Sequence, residues 1–191
     1  MTYSREPWQR HVLAYQVDDL KAMSRAQLLS ALRLGVQAHR DPHSLAPDYD
    51  EAARHHYGEH IWTTVLVLRG DEMLGGRLVA LRYLFYLIKL SLPWEPYVGY
   101  PKGMGDAHKA NVRFSYASLT RMGARKLVEK VHHALHVMIY QRDNRPFEAE
   151  GDPEWVYVKI DGTPTQPVLT DFDAYLYLLQ LLENRIAKEG L

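Results

Sequence analysis

The sequence predicts a mainly helical α+β protein, and three observations carry that expectation. Apolar residues recur at helical spacing over 28–36, 76–92, 119–141 and 172–186. Strand-like alternation is confined to short stretches around 112–116 and 155–169. Between these groups lies a long Pro/Gly-rich segment, 93–110, of the kind that marks a boundary or a functional loop. The chain therefore divides into a helical region over 1–95 and an α+β region over 96–191 that runs β-α-β-β-α around a small three-stranded sheet. The two regions are compatible with one continuous domain.

Each element has a local cause. Ser24 and Gln27 form a capping box, and Met23 is placed to staple onto Leu28, so a helix starts at Ser24. Leu28, Leu29, Leu32 and Val36 give it one apolar face, and Asp41-Pro42 ends it near His39. Asp48 or Asp50 can cap a second helix beginning at Glu51. Residues 61–68 (IWTTVLVL) are apolar on both sides and rich in β-branched residues; helix is the favoured assignment and a buried strand the alternative. Residues 76–92 are apolar around nearly the whole circumference, broken by Arg82 and Lys89, and predict a surrounded central helix. Val112, Phe114 and Tyr116 alternate with polar residues as a strand does. A helix over 119–141 follows, then strands over 155–160 and 166–169 joined through Asp161-Gly162. Pro167 places the last strand at an edge. Thr170 is the expected cap of the final helix, with Asp171 and Asp173 at its positive end. No internal repeat or low-complexity tract is apparent.

Composition narrows the function classes. The chain has 191 residues, 47% of them hydrophobic and 24% charged, as in a globular protein that needs no staple to fold. With no cysteine, disulfides, thiolate zinc sites and cysteine nucleophiles are excluded. The polar N-terminus lacks the apolar core of a signal peptide, and 78–92 is too short to span a bilayer, so the expected location is cytoplasmic and no membrane partner is expected. The formal net charge is zero, yet residues 107–145 carry eight basic side chains against two acidic ones, and 146–191 carry nine acidic against three basic. Opposed charge of this kind either cancels within one fold or favours head-to-tail self-association.

Two histidine clusters are the candidates for chemistry. His56-x-x-Glu59-His60 resembles the inverted zinc-peptidase motif, which would make the histidines zinc ligands and Glu59 the activator of water. No independent third ligand accompanies it. In the second cluster, Glu129 and His132 have the E-x-x-H spacing of dimetal carboxylate bundles, and His132 and His136 lie one helical turn apart. At about 100° per residue, however, His132 falls at the edge of the apolar arc and His133 and His136 beyond it, which predicts solvated surface histidines. Arg125 and His132 share the R-x6-H spacing of the HEPN class of helical ribonucleases, a resemblance of two residues that would imply RNA chemistry at a dimer interface. The glycine-rich segment 99–105 lacks the Lys-Ser/Thr ending of a P-loop, and no G-x-S-x-G elbow occurs.

With no convincing catalytic set, the expected function is a non-enzymatic interaction or assembly protein that self-associates, such as a structural subunit of a phage or other multi-subunit particle, without a cofactor. Trp94, Tyr97 and Tyr100 in the Pro/Gly loop are the expected contact residues. One alternative is a zinc- or other divalent-metal-binding helical protein or hydrolase using His56, Glu59 and His60, with His132 or His136. Another is a nucleic-acid binder through Lys109, Arg113, Arg121, Arg125, Lys126 and Lys130.

Overall fold

The computed structural model describes residues 13–40, 65–96, 112–144 and 158–191, arranged in two compact units, Met1–Ile88 and Lys89–Leu191. The expected helix from Glu51 lies outside the described residues. The α+β class holds. The first half is not purely helical, because it contains a three-stranded sheet of its own.

In the first unit, strand β1 (Leu13–Gln16) leads through helices α1 (Val17–Ala22) and α2 (Arg25–Arg40) to β2 (Val65–Arg69), β3 (Glu72–Gly76) and helix α3 (Arg77–Leu90), whose last two residues, Lys89 and Leu90, belong to the second unit. β1 runs parallel to β2, with Leu13 opposite Val65, and β2 runs antiparallel to β3. The capping box at the start of α2 is present in full. Ser24 N–H donates to Gln27 Oε1 at 2.8 Å and Gln27 N–H donates to Ser24 Oγ at 3.3 Å. Behind it, Leu28, Leu29, Leu32 and Val36 are buried as the spacing requires. α2 approaches α3 closely at Gly35, where a Cβ would lie 2.6 Å from Leu81 Cδ2. Gly70 makes the β2–β3 turn with a positive φ of 59°, and the Gln16 side chain clamps it, accepting from Gly70 N–H at 3.0 Å and donating to its carbonyl at 3.1 Å.

Residues 65–69 are thus a strand, not the favoured helix. Val65 and Val67 are buried, and Leu66 and Leu68 are buried too, forming a separate apolar cluster with Ala14. A strand covered on both faces loses the alternation that would identify it, so its apolar run is as compatible with a helix.

The second unit repeats the plan. Strand β4 (Val112–Ser115) leads through α4 (Tyr116–Leu119) and α5 (Ala124–Asn144) to β5 (Val158–Asp161), β6 (Val168–Thr170) and α6 (Asp171–Glu189). β4 is parallel to β5, and β5 antiparallel to β6. The helix expected from Leu119 begins instead at Ala124, after the short α4 and a turn containing Gly123. Thr170 has the extended backbone of a cap but makes no side-chain cap bond; the neighbouring Asp171, at a positive φ of 48°, accepts from Val158 N–H at 3.2 Å and ties α6 to the head of β5.

An internal repeat therefore exists that the sequence did not reveal. Among the described residues both units run β-α-α-β-β-α, with their three strands side by side in chain order and the same parallel-then-antiparallel pairing. Leu20, Leu28, Leu29, Leu32 and Val36 match Leu119, Leu127, Val128, Val131 and Leu135, each 99 positions later. Ala80, Leu81, Leu84, Phe85 and Ile88 of α3 match Ala174, Tyr175, Leu178, Leu179 and Leu182 of α6, each 94 positions later. Every residue in both sets is buried. Only the apolar positions are shared, and they interchange freely among aliphatic residues, so few identities survive.

Two predictions follow from the packing. Ser24→Ala removes one half of the capping box and is expected to cost about 1 kcal/mol, read from the urea midpoint. The Tyr175 hydroxyl is buried with no hydrogen-bond partner among the described residues, and burial drives its pKa far above the ordinary phenol value. Tyr175→Phe removes that desolvated group at constant ring volume and is expected to stabilise the fold by about 1 kcal/mol. A clear loss of stability would show that the hydroxyl is bonded.

Candidate functional site

The second histidine cluster provides the most concentrated chemistry among the described residues. α5 buries Leu127, Val128, Val131, Ala134, Leu135, Val137 and Met138. His132 and His136 are buried with them, at 5% and 7% exposure, and only His133 in this stretch is half-buried. The expectation of solvated histidines is therefore corrected for His132 and His136. Near its start α5 has an open side, where Arg125, Lys126 and Glu129 are exposed, but over residues 131–138 it is enclosed around most of its circumference. Periodicity within the helix cannot register a polar partner supplied from elsewhere in the chain.

That partner is Lys89, the first residue of the second unit, itself 4% exposed. Its Nζ lies 3.0 Å from His132 Nδ1. The two nitrogens are at hydrogen-bond distance, and the tautomer of His132 sets which of them donates. The rings of His132 and His136 are stacked with centroids 4.3 Å apart and planes inclined by 42°. The group is an interior polar network closed to solvent, which suits a structural lock better than a reaction centre.

Among the described residues no three metal-ligating side chains come together. The His132 nitrogen that faces Lys89 is occupied by that contact. His56, Glu59 and His60 lie outside the described residues. The R-x6-H pair is separated, since Arg125 is exposed and His132 buried.

The remaining sequence candidates are distributed as follows. Trp94 is half-buried, while Tyr97, Tyr100 and Lys109 lie outside the described residues. Arg113 is exposed on β4, on the side of the sheet opposite the buried Val112 and Phe114, and pairs in register with Lys159, which is bridged to Asp161 at 3.3 Å. Arg121, Arg125 and Lys126 are exposed where α5 begins, and Lys130 is half-buried one turn further on. The basic segment is thus split between the outer face of the sheet and the start of a helix. Sequence reasoning missed Lys89, whose only signal was a charged residue on an otherwise apolar helix, and the exposed row Val79, Tyr86 and Leu90 on the same helix.

The histidines predict how stability depends on pH. Burial, then the charge of Lys130, holds the His133 pKa below its ordinary value of 6.5. A histidine kept neutral by the fold takes up a proton more readily when unfolded. Its contribution is therefore complete above about pH 6.5 and is lost as pH falls below it. The urea midpoint is expected to drop between about pH 7.5 and about pH 5, and His133→Gln is expected to shrink that drop. A midpoint that stays flat over this range would exclude the account.

No family model, curated protein or solved structure matches the chain.

Proposed function

We propose that this protein is a non-enzymatic assembly component that associates with copies of itself, as a building block of a larger particle. The observation that carries the reading is the outer face of α3. Val79, Tyr86 and Leu90 are 51%, 39% and 50% exposed. At about 100° per residue they fall within about 40° of one another, with half-buried Tyr83 alongside, so they form one continuous apolar row.

The repeat supplies an internal control. On α6 the same positions are Asp173, Tyr177, Gln180 and Asn184, and the Gln180 amide donates to Asn184 Oδ1 at 3.0 Å. This fold is thus compatible with a polar surface at these positions, and the apolar row of α3 has another cause. A second copy of the chain is the occupant we infer, because the sequence carries opposed charge in consecutive segments, basic over 107–145 and acidic over 146–191. Such a chain is complementary to itself. No helix among the described residues is long and apolar enough to cross a membrane.

The test is native mass spectrometry with light scattering on the full chain, before and after chelation. The wild type is expected to form a defined oligomer that carries no metal mass. Val79→Asp combined with Tyr86→Gln, the residues α6 has at those positions, is expected to lower its order or its stability to dilution by at least tenfold. A wild-type monomer at high concentration would overturn the reading.

A further inference from the structure

We propose that the start of α5 is a binding surface for the phosphate backbone of a nucleic acid, carried by Arg121, Arg125 and Lys126. This goes beyond the assembly reading and does not rest on it.

The two copies of one fold differ in charge at this end. At the positions of Arg121, Arg125 and Lys126 the first unit has Ala22, Ala26 and Gln27. Where the first unit has the exposed acids Asp18 and Asp19, the second has Ala117 and Ser118. Against these stand Lys21 and Arg25, whose counterparts are Thr120 and Ala124, so residues 18–27 carry no net charge while residues 117–126 carry Arg121, Arg125 and Lys126 with no acid among them. The second copy thus has one cation more and two anions fewer over the short helix, the turn and the first turn of the long helix.

The change also altered how the helix is held. In the first unit Gln27 is half of the capping box with Ser24. The second unit has Gly123 and Lys126 there and cannot form it. The cap comes instead from α6, whose Glu189 Oε1 accepts from Ala124 N–H at 3.0 Å, while Arg185 donates to the Thr120 carbonyl at 2.6 Å. These two bonds hold the turn that carries Arg121 on both sides. Position 126, released from capping, has become an exposed lysine.

The chemistry fits phosphodiesters. Two guanidinium forks and an ammonium on a held turn and helix start present donors without further ordering of the backbone. Two exposed acids lie here, Glu129 with Lys130 beside it and Glu189 with its carboxylate on Ala124 N–H, and against Arg121, Arg125 and Lys126 the local balance stays positive. Arg113 is placed apart, on the outer sheet face among Lys159 and Asp161. A surface of this kind reads charge and not sequence.

The test is fluorescence anisotropy of the full chain with a labelled DNA duplex of about 24 base pairs, titrated between about 50 and about 200 mM NaCl. Three phosphate contacts predict a slope of log affinity against log salt between about −2 and −3. The variant R121A/R125A/K126Q installs the residues of the first unit at these positions. It is expected to bind at least tenfold more weakly with a flattened slope and an unchanged circular dichroism spectrum. Arg113→Ala, which installs the counterpart residue Ala14, is expected to bind like the wild type. The proposal is overturned if the wild type shows no salt-dependent binding, if the triple variant binds the duplex as tightly as the wild type, or if Arg113→Ala loses as much as the triple variant. It is also overturned if anionic phospholipid vesicles, and not the duplex, are what the triple variant fails to bind. The oligomer measured in parallel separates failure of this surface from failure of self-association.

Discussion

The constraint on which the rest of this structure depends is that the first two strands of each sheet run parallel. A tight turn cannot join parallel strands, so the chain must cross over, and in both units it crosses through a short helix followed by a long one. The crossover helix needs an apolar cover, which comes from the sheet and from the helix that follows the hairpin. Val128, Val131 and Leu135 are thereby buried in the second unit and Leu29, Leu32 and Val36 in the first. The third strand then adds antiparallel at the free side of the second, and its end leads directly into the last helix.

Two copies of one plan in a single chain allow the needs of the fold to be separated from those of the surface. Positions buried in both copies stay apolar, whereas positions outside the shared core change class. The second face of the sheet carries Ala14 and the buried Leu66 and Leu68 in the first copy and Arg113, Lys159 and Asp161 in the second. The outer face of the last helix changes from Val79, Tyr86 and Leu90 to Asp173, Gln180 and Asn184. The start of the crossover helix changes from Ala26 and Gln27 to Arg125 and Lys126. Divergence of this kind leaves the shared core unchanged while the surface of each copy takes its own chemistry.

The Lys89–His132–His136 group is an exception to the apolar rule of the core. Burying a lysine is costly unless its head is bonded, and here a histidine nitrogen lies at hydrogen-bond distance, 3.0 Å. Such a network contributes less to net stability than an apolar replacement of the same volume would. It specifies one arrangement, since any other leaves a buried polar group without its partner. The corresponding positions in the first copy are Arg33 and Gln37, both half-buried, so the polar character of this side of the helix is shared even though the residues differ.

Local signals were legible from the residues alone. The capping box at Ser24 and Gln27, the one-sided burial of Leu28 to Val36, the helical run that became α3, the strand at Val112 and Phe114 and the seam of the final helix all follow from neighbours within a few positions. The sequence by itself determined the class, most of the helices and the absence of cysteine chemistry. It did not determine β1, or that residues 65–69 form a strand, because strand pairing joins residues some 52 positions apart, as Leu13 and Val65 are. The repeat was hidden for a related reason: packing conserves volume and apolarity, not identity. Tertiary structure alone decided that His132 and His136 are interior, since the lysine that shares their environment lies 43 residues earlier in the chain, beyond the reach of any helical periodicity.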